Sequence, residues 1–294
     1  MKNKKKQLHS LPEEARLYYE MGLEVDRLSG AGGELEFVRT KEIINRYLPD
    51  PPAVVLDVGG GPGAYACWLA QEGYEVHLTD PIALHLEQAR QASRNQPKSP
   101  IRSITRGDAR ELDHPDGSSD VVLFLGPLYY LTERSDRITA LQEALRVLKP
   151  GGQLMAVGIS RFASTYAGLI DGYFADPEFV DIAQRDLVDG QHRNPTVKPN
   201  YFTTAFFHHP VELQEEVQEA GFSIKTILAI EGAAVFIQDL NEQWRDPEHR
   251  KRILDAVRWL EDEPSVIGVT GHIIAVATRS EAGLPGVIPG GGDG

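Results

Sequence analysis

The stretch Val54 to Ala70, VVLDVGGGPGAYACWLA, constrains the fold more than any other. Five residues of strand character run into a turn with glycines at 59, 60, 61 and 63, and a helix-forming run follows. A strand that feeds a helix through such a turn opens a βαβ unit, in which the backbone comes close to a ligand beyond the carboxyl end of the strand. The alternation continues. Strands are expected at Val54–Val58, Glu75–Thr79, Ile101–Thr105, Val121–Leu125 and Gln153–Gly158, and helices at Ala64–Glu72, Ile82–Ser93 and Ser135–Leu148, the last stopped by KPGG. This is the pattern of an α/β, Rossmann-like, doubly wound parallel sheet.

The flanks add to that core. Ser10 to Glu13 reads S-x-x-E, a capping box, and Tyr18, Met21, Val25 and Leu28 follow at helical spacing. Gly30 to Gly33 interrupts, and a second helix through Phe37, Ile43, Ile44 and Tyr47 ends before Pro51-Pro52. Residues 1–50 are therefore read as a tail and cap helices, and 51–159 with 208–280 as the core. The segment 160–207, long and rich in aromatic residues, reads as a lid insertion. A helix from Pro210, a strand Ser223–Ile230, a helix near Asp246–Leu260 and a last strand His272–Thr278 complete the core, and the Gly/Pro-rich 281–294 reads as a disordered tail.

Composition excludes several function classes. The net charge is −13, and the one basic cluster, Lys2 to Lys6, lies in the first residues, so no nucleic-acid partner is expected. No apolar run approaches the ~20 residues that cross a bilayer, and MKNKKKQLHS lacks the apolar region of a secretory signal. A single cysteine, Cys67, permits no internal disulfide. The expectation is a cytoplasmic protein that binds no metal, since no spacing resembles a metal site; its oligomeric state is not set by these features.

Glycines 59, 61 and 63 with Ala64 satisfy both G-x-G-x-x-A, a dinucleotide pattern, and G-x-G-x-G, a methyl-donor pattern. Asp57 discriminates between them. A carboxylate beside the turn repels a pyrophosphate but favours S-adenosylmethionine, which brings a cationic ammonium and a sulfonium. Asp80, closing the second strand in VHLTD, stands where an acid reaches ribose hydroxyls. In GDARELDHPDG, Asp108 is placed to accept from an adenine amino group, with the Ala109 backbone at the ring edge.

Taken in order, VLDVGGGPG, LTD, GDA, DVVLFLGPLYYL and ALRVLKPGG resemble the class I S-adenosylmethionine-dependent methyltransferases over about Val54 to Gly158. The resemblance implies a seven-stranded, mostly parallel sheet with an antiparallel last strand. It implies Asp57, Gly59, Gly60 and Gly61 around the methionine part of the donor, Asp80 and Pro81 at the ribose, Asp108 and Ala109 at the adenine, and Leu125 and Gly126 along the donor. Tyr19, on the N-terminal helix, is expected at the donor's carboxylate, while Arg27 meets a carboxylate or pairs with Glu24. In the family's acceptor-facing turn this chain has Gly126-Pro127-Leu128-Tyr129, without the Asn/Asp-Pro-Pro-Tyr/Phe of many amino-methyltransferases. That makes a small-molecule acceptor the expectation. Tyr129, Tyr130, Phe162, Tyr166 and Tyr201 are its candidate contacts, and His208 is the candidate base, with His192 behind it and His209 expected to cap the helix at Pro210. The alternatives are an NAD(P)-dependent oxidoreductase and an RNA-modifying methyltransferase.

Overall fold

A computed structural model describes residues 13–280 apart from Val197. Among the described residues nine strands form the sheet: β1 (Val54–Val58), β2 (Glu75–Asp80), β3 (Ser103–Arg106), β4 (Ser119–Phe124), β5 (Leu148–Ser160), β6 (Gln191–His192), β7 (Ala205–His208), β8 (Phe222–Ala229) and β9 (His272–Arg279). The central order is β3-β2-β1-β4-β5, all parallel, after which β9 pairs antiparallel with both β5 and β8. Those seven strands are the expected architecture. The order reverses beside β1, where the helices after β1 and β4 leave toward opposite faces and a crevice opens at the strand ends.

Alternation along the strands builds two cores. Val55, Val76, Leu78, Val121, Leu123 and Met155 face Ile43, Ile44, Leu69, Leu86 and Ala89 on one side. Leu56, Val58, Val122, Phe124 and Leu154 face Leu141, Ala144, Leu213 and Val217 on the other. A strand buried on both faces needs apolar residues at every position, so Asp57 within β1, 1% exposed, is the exception that calls for a reason.

Three features depart from the sequence reading. The first helix covers only Glu13–Glu20, because Gly22 takes a left-handed conformation (φ 76°), and a 3-10 turn, Leu23–Asp26, follows. Ser10 of the expected capping box lies outside the described residues, as does the tail 281–294. The second helix, Ala31–Tyr47, includes Gly32 and Gly33 rather than starting after them. Gly33 permits a close crossing, since a Cβ there would lie 2.4 Å from the Arg27 carbonyl oxygen. Finally, the insertion 160–207 carries the helices Ala163–Ile170 and Pro177–Asp189 but also two strands. β7 runs parallel to the end of β5 (Ile159↔Phe207, Ser160↔His208), beyond the point at which β4 has ended.

The helix Ala31–Tyr47 is held by ion pairs. Arg39, with no exposed surface, reaches Glu261, Glu42 (2.7 Å) and the Ile230 carbonyl (3.3 Å), and Arg46 also grips Glu261 (2.9 Å). Removing one partner strands a buried charge. Glu261→Ala should cost about 3 kcal/mol in urea unfolding, and Arg39→Met combined with Glu261→Met should restore much of it. An unchanged midpoint in Glu261→Ala would contradict this account.

Candidate active site

At the ends of β1, β2 and β4 lies a cavity whose walls include Gly59, Gly61, Asp80, Pro81, Ile82, Asp108, Ala109, Gly126 and Tyr19. Asp80 shapes it: one oxygen accepts from the Gly61 N–H (3.0 Å), and the other accepts from the Ile82 N–H (2.8 Å) and lies 3.2 Å from His85 Nδ1. Asp57 stands behind the turn and is not part of the cavity wall. A Cβ on Gly60 would lie 2.6 Å from its Oδ2, so the turn can rest on this carboxyl only with glycine there. Neither Asp57 oxygen has a partner among the described residues, and burial, reinforced by Asp80, raises its carboxyl to about 7.

A second cavity, about 340 Å³, adjoins the first, and Glu24, Tyr129 and Tyr130 line both. Tyr18, Arg27, His192, Tyr201, Phe202, Phe207 and His272 complete much of its wall. Tyr18 and Tyr19, neighbours on the first helix, thus face different cavities, and the Tyr19 ring meets His85 (5.0 Å) and Tyr130 (5.1 Å) edge-on. Charged groups gather at one end. Arg27 donates to Glu24 and Glu36, each at 2.6 Å, and His272 Nδ1 lies 2.6 Å from Glu231. Burial opposes both charges of the latter pair, yet Glu231 and Glu36 lift His272 to about 9, and His272 with Thr270 holds Glu231 down to about 2. Glu36, Glu231 and His272 also bring one ligand atom each within 4.8 Å of one another, a grouping that the sequence spacing did not disclose.

Residues 56–156 match the family described as a methyltransferase domain. This region is a methyltransferase domain, as the resemblance to the class I S-adenosylmethionine-dependent methyltransferases implies. It is 26% identical over 227 residues to the tRNA 5-carboxymethoxyuridine methyltransferase of Escherichia coli K12, covering 76% of this chain and 79% of that protein. It is 34% identical over 123 residues to the ubiquinone/menaquinone biosynthesis C-methyltransferase of Neisseria meningitidis, covering 40% of this chain and 48% of that one. Its fold matches a methyltransferase from Methanosarcina mazei with a TM-score of 0.55 at 20% identity, over 81% of this chain and 97% of that one.

S-adenosylmethionine is the methyl donor, and the nicotinamide alternative falls. The first cavity suits a cationic donor, because Asp80, Glu24 and the partnerless Asp57 surround the turn; a Cβ on Gly61 would lie 3.9 Å from the Glu24 side chain. Eight residues expected at the donor line this cavity: Tyr19, Gly59, Gly61, Asp80, Pro81, Asp108, Ala109 and Gly126. Asp108 does so with both oxygens already accepting from Arg110 (2.9 and 2.8 Å), because the tight turn at 108–111 folds Arg110 back over it. Asp57, Gly60 and Leu125 lie off the wall. Leu125 packs against the core, and its carbonyl accepts from the Tyr129 hydroxyl at 3.2 Å.

Of the residues expected at the acceptor, Tyr129, Tyr130 and Tyr201 line the second cavity, while Phe162 and Tyr166 do not. Their helix turns Ala163, Ser164 and Ala167 inward, so Tyr166 points toward Phe236 (5.0 Å) and Phe162 packs on His209 (5.2 Å). His208 is corrected as well. It lines neither cavity, has no exposed surface, and sits with Nε2 3.3 Å from Glu216, burial lowering its affinity for a proton. It occupies the sheet face that packs on the helix Pro210–Glu219, so it can reach no acceptor. His209 does open that helix, its N–H donating to Glu212 (2.9 Å). His192 lines the cavity but is spent on Asp186 (2.8 Å) and the Tyr201 carbonyl (2.9 Å). Sequence reasoning missed His85, Glu36, Glu231 and His272. Only His85 left a local signal, a histidine on the apolar face of a helix one turn after Asp80.

Asp57 gives the test of this electrostatic picture. The folded state keeps its proton to about pH 7 and the unfolded chain releases it near 3.8, so stability is lost as pH rises between those values. Asp57→Asn should therefore gain on the wild type across that window, its relative stability rising by about 4 kcal/mol between pH 4 and pH 8 without donor. A stability difference that does not vary between pH 4 and 8 would refute a raised Asp57.

Proposed function

We propose that the enzyme methylates a small molecule held in the second cavity. The observation that carries this reading is the continuity of the two cavities through Glu24, Tyr129 and Tyr130, together with the bordering of the second by the N-terminal helix, the insertion 160–207 and the Gly271-His272 corner. Its volume, about 340 Å³, falls at the lower end of the cavities that take small ligands. Methyl transfer is an in-line displacement at a carbon already activated by the sulfonium, so the chain supplies alignment and exclusion of water. Gly59, Gly61 and Asp80 hold the donor by its turn-facing end, Tyr19 closes over it, and Tyr129 and Tyr130 form the partition through which acceptor and methyl group meet. The residues 160–207 act as the lid.

The Escherichia coli relative, a tRNA methyltransferase, supports a second reading with tRNA as acceptor. The net charge of −13 argues against it, since a polyanion gains affinity from basic surface. Incubation with methyl-tritiated donor and a cell extract divided into low-molecular-weight solutes and bulk tRNA separates the two. The label is expected among the solutes, and label that precipitates with tRNA would sink the small-molecule reading. Tyr130→Ala should then lower kcat/KM for the labelled acceptor by about 10–100-fold, with donor affinity changed far less.

A further inference from the structure

We propose that Arg27 and His272 form an anion-binding end of the acceptor cavity, and that the acceptor bears an anionic oxygen, a carboxylate or a phenolate, seated against His272 Nε2 and Arg27 Nη2. The inference rests on the small-molecule reading and narrows its substrate class.

The geometry directs donors inward and acceptors outward. His272 is the first residue of β9, and its ring is fixed by Nδ1 against Glu231 Oε1 (2.6 Å), while its backbone N–H donates to Glu231 Oε2 (2.9 Å). Thr270 Oγ1 donates to the same Oε2 at 2.7 Å, so Glu231 is committed to this corner. Nε2, on the other side of the ring, meets no acceptor among the described residues, the hydrogen bonds of His272 running through Nδ1 and the backbone, and His272 lines the cavity. Arg27 is arranged alike. Nε is spent on Glu24 and Nη1 on Glu36, which leaves Nη2 without an acceptor among the described residues on a side chain that also lines the cavity. Glu36 Oε2 sets the two cations side by side, 2.6 Å from Arg27 Nη1 and 4.0 Å from His272 Nδ1.

Charge counting alone does not select an anion, because Glu24, Glu36 and Glu231 outnumber Arg27 and His272. Direction does. Glu231 and Glu36 lie off the cavity wall, behind the cations they orient, and Glu24, which lines both cavities, is committed through Oε1 to Arg27 Nε (2.6 Å) while its side chain also reaches toward the glycine turn. A ligand in the cavity therefore meets two charge-assisted N–H donors, the arrangement that binds carboxylate and phenolate oxygens. A ligand amine would leave both donors unpaired.

Binding to enzyme saturated with S-adenosylhomocysteine tests this directly, in EDTA at pH 8, with benzoate, 4-nitrophenolate, benzamide and benzylamine as probes. At least one of the two anions should bind tenfold or more tighter than benzamide and benzylamine, and the tighter anion names the source of the oxygen. Two readouts assign the effect. In wild-type protein the advantage of the anion should fall as pH passes about 9, where His272, faced by Glu231, Glu36 and Arg27, loses its proton. His272→Gln should erase most of that advantage while S-adenosylhomocysteine binds as before. Equal or tighter binding of benzamide or benzylamine overturns the proposal, as does the absence of binding by any probe, an undiminished advantage in His272→Gln, or anion binding that appears only when a divalent metal is added. Those outcomes leave the small-molecule reading in place if the tritium label stays among the solutes. Label on tRNA removes that reading whatever the probes do.

Discussion

The carboxylate of Asp80 is the joint on which the donor half of this enzyme depends. β1 and β2 run parallel in unbroken register from Val54↔Glu75 to Val58↔Thr79, so their ends arrive level. Asp80 then ties the two chains together by accepting from Gly61 on one side and Ile82 on the other. Hydrogen bonds to a buried charge are worth about 1.5–3 kcal/mol each, more than a neutral pair, and leaving such a charge without them costs more still. The turn is thereby held in one shape before any ligand arrives, which lowers the entropy lost on binding.

Asp57 acquires its reason from the same place. It is a second carboxylate, buried behind the turn and without a hydrogen-bond partner, and its proximity to Asp80 adds repulsion to desolvation. Neighbouring carboxylates in a poor dielectric resist ionising together. A cation brought to the turn relieves that resistance, whereas a pyrophosphate would deepen it. A preference for a cation over a pyrophosphate at this turn would thus arise from a field produced behind the glycines rather than from a direct contact, since Asp57 does not line the cavity.

The sequence disclosed what is local. β1 matches its expected bounds residue for residue, and eight donor-side residues meet at one cavity, because strand periodicity, a glycine turn and an acid at a strand end are each visible within a few residues. β6 and β7 were hidden, since strands of two and four residues inside an aromatic segment carry too little period to read. His208 was misplaced for the same reason. Within an unrecognised strand its side could not be known, and alternation sends it to the helix while Phe207 faces the cavity. Residues 27, 36, 231 and 272 lie too far apart for any spacing to join them.

What joins them is buried charge. Arg39 bridges Glu261 and the Ile230 carbonyl, one residue before Glu231, and so locks the helix that carries Glu36 to the segment that carries Glu231. Gly33 on that helix lies against the Arg27 carbonyl, which fixes the 3-10 turn bearing Glu24 and the arginine after it. Buried ion pairs contribute little net stability compared with apolar residues of the same volume, so their presence here is better explained by position than by energy. An apolar contact tolerates sliding; a guanidinium with three assigned acceptors does not. The wall of the first cavity is therefore set by a local motif, and that of the second by an ionic frame that draws together residues far apart in the chain.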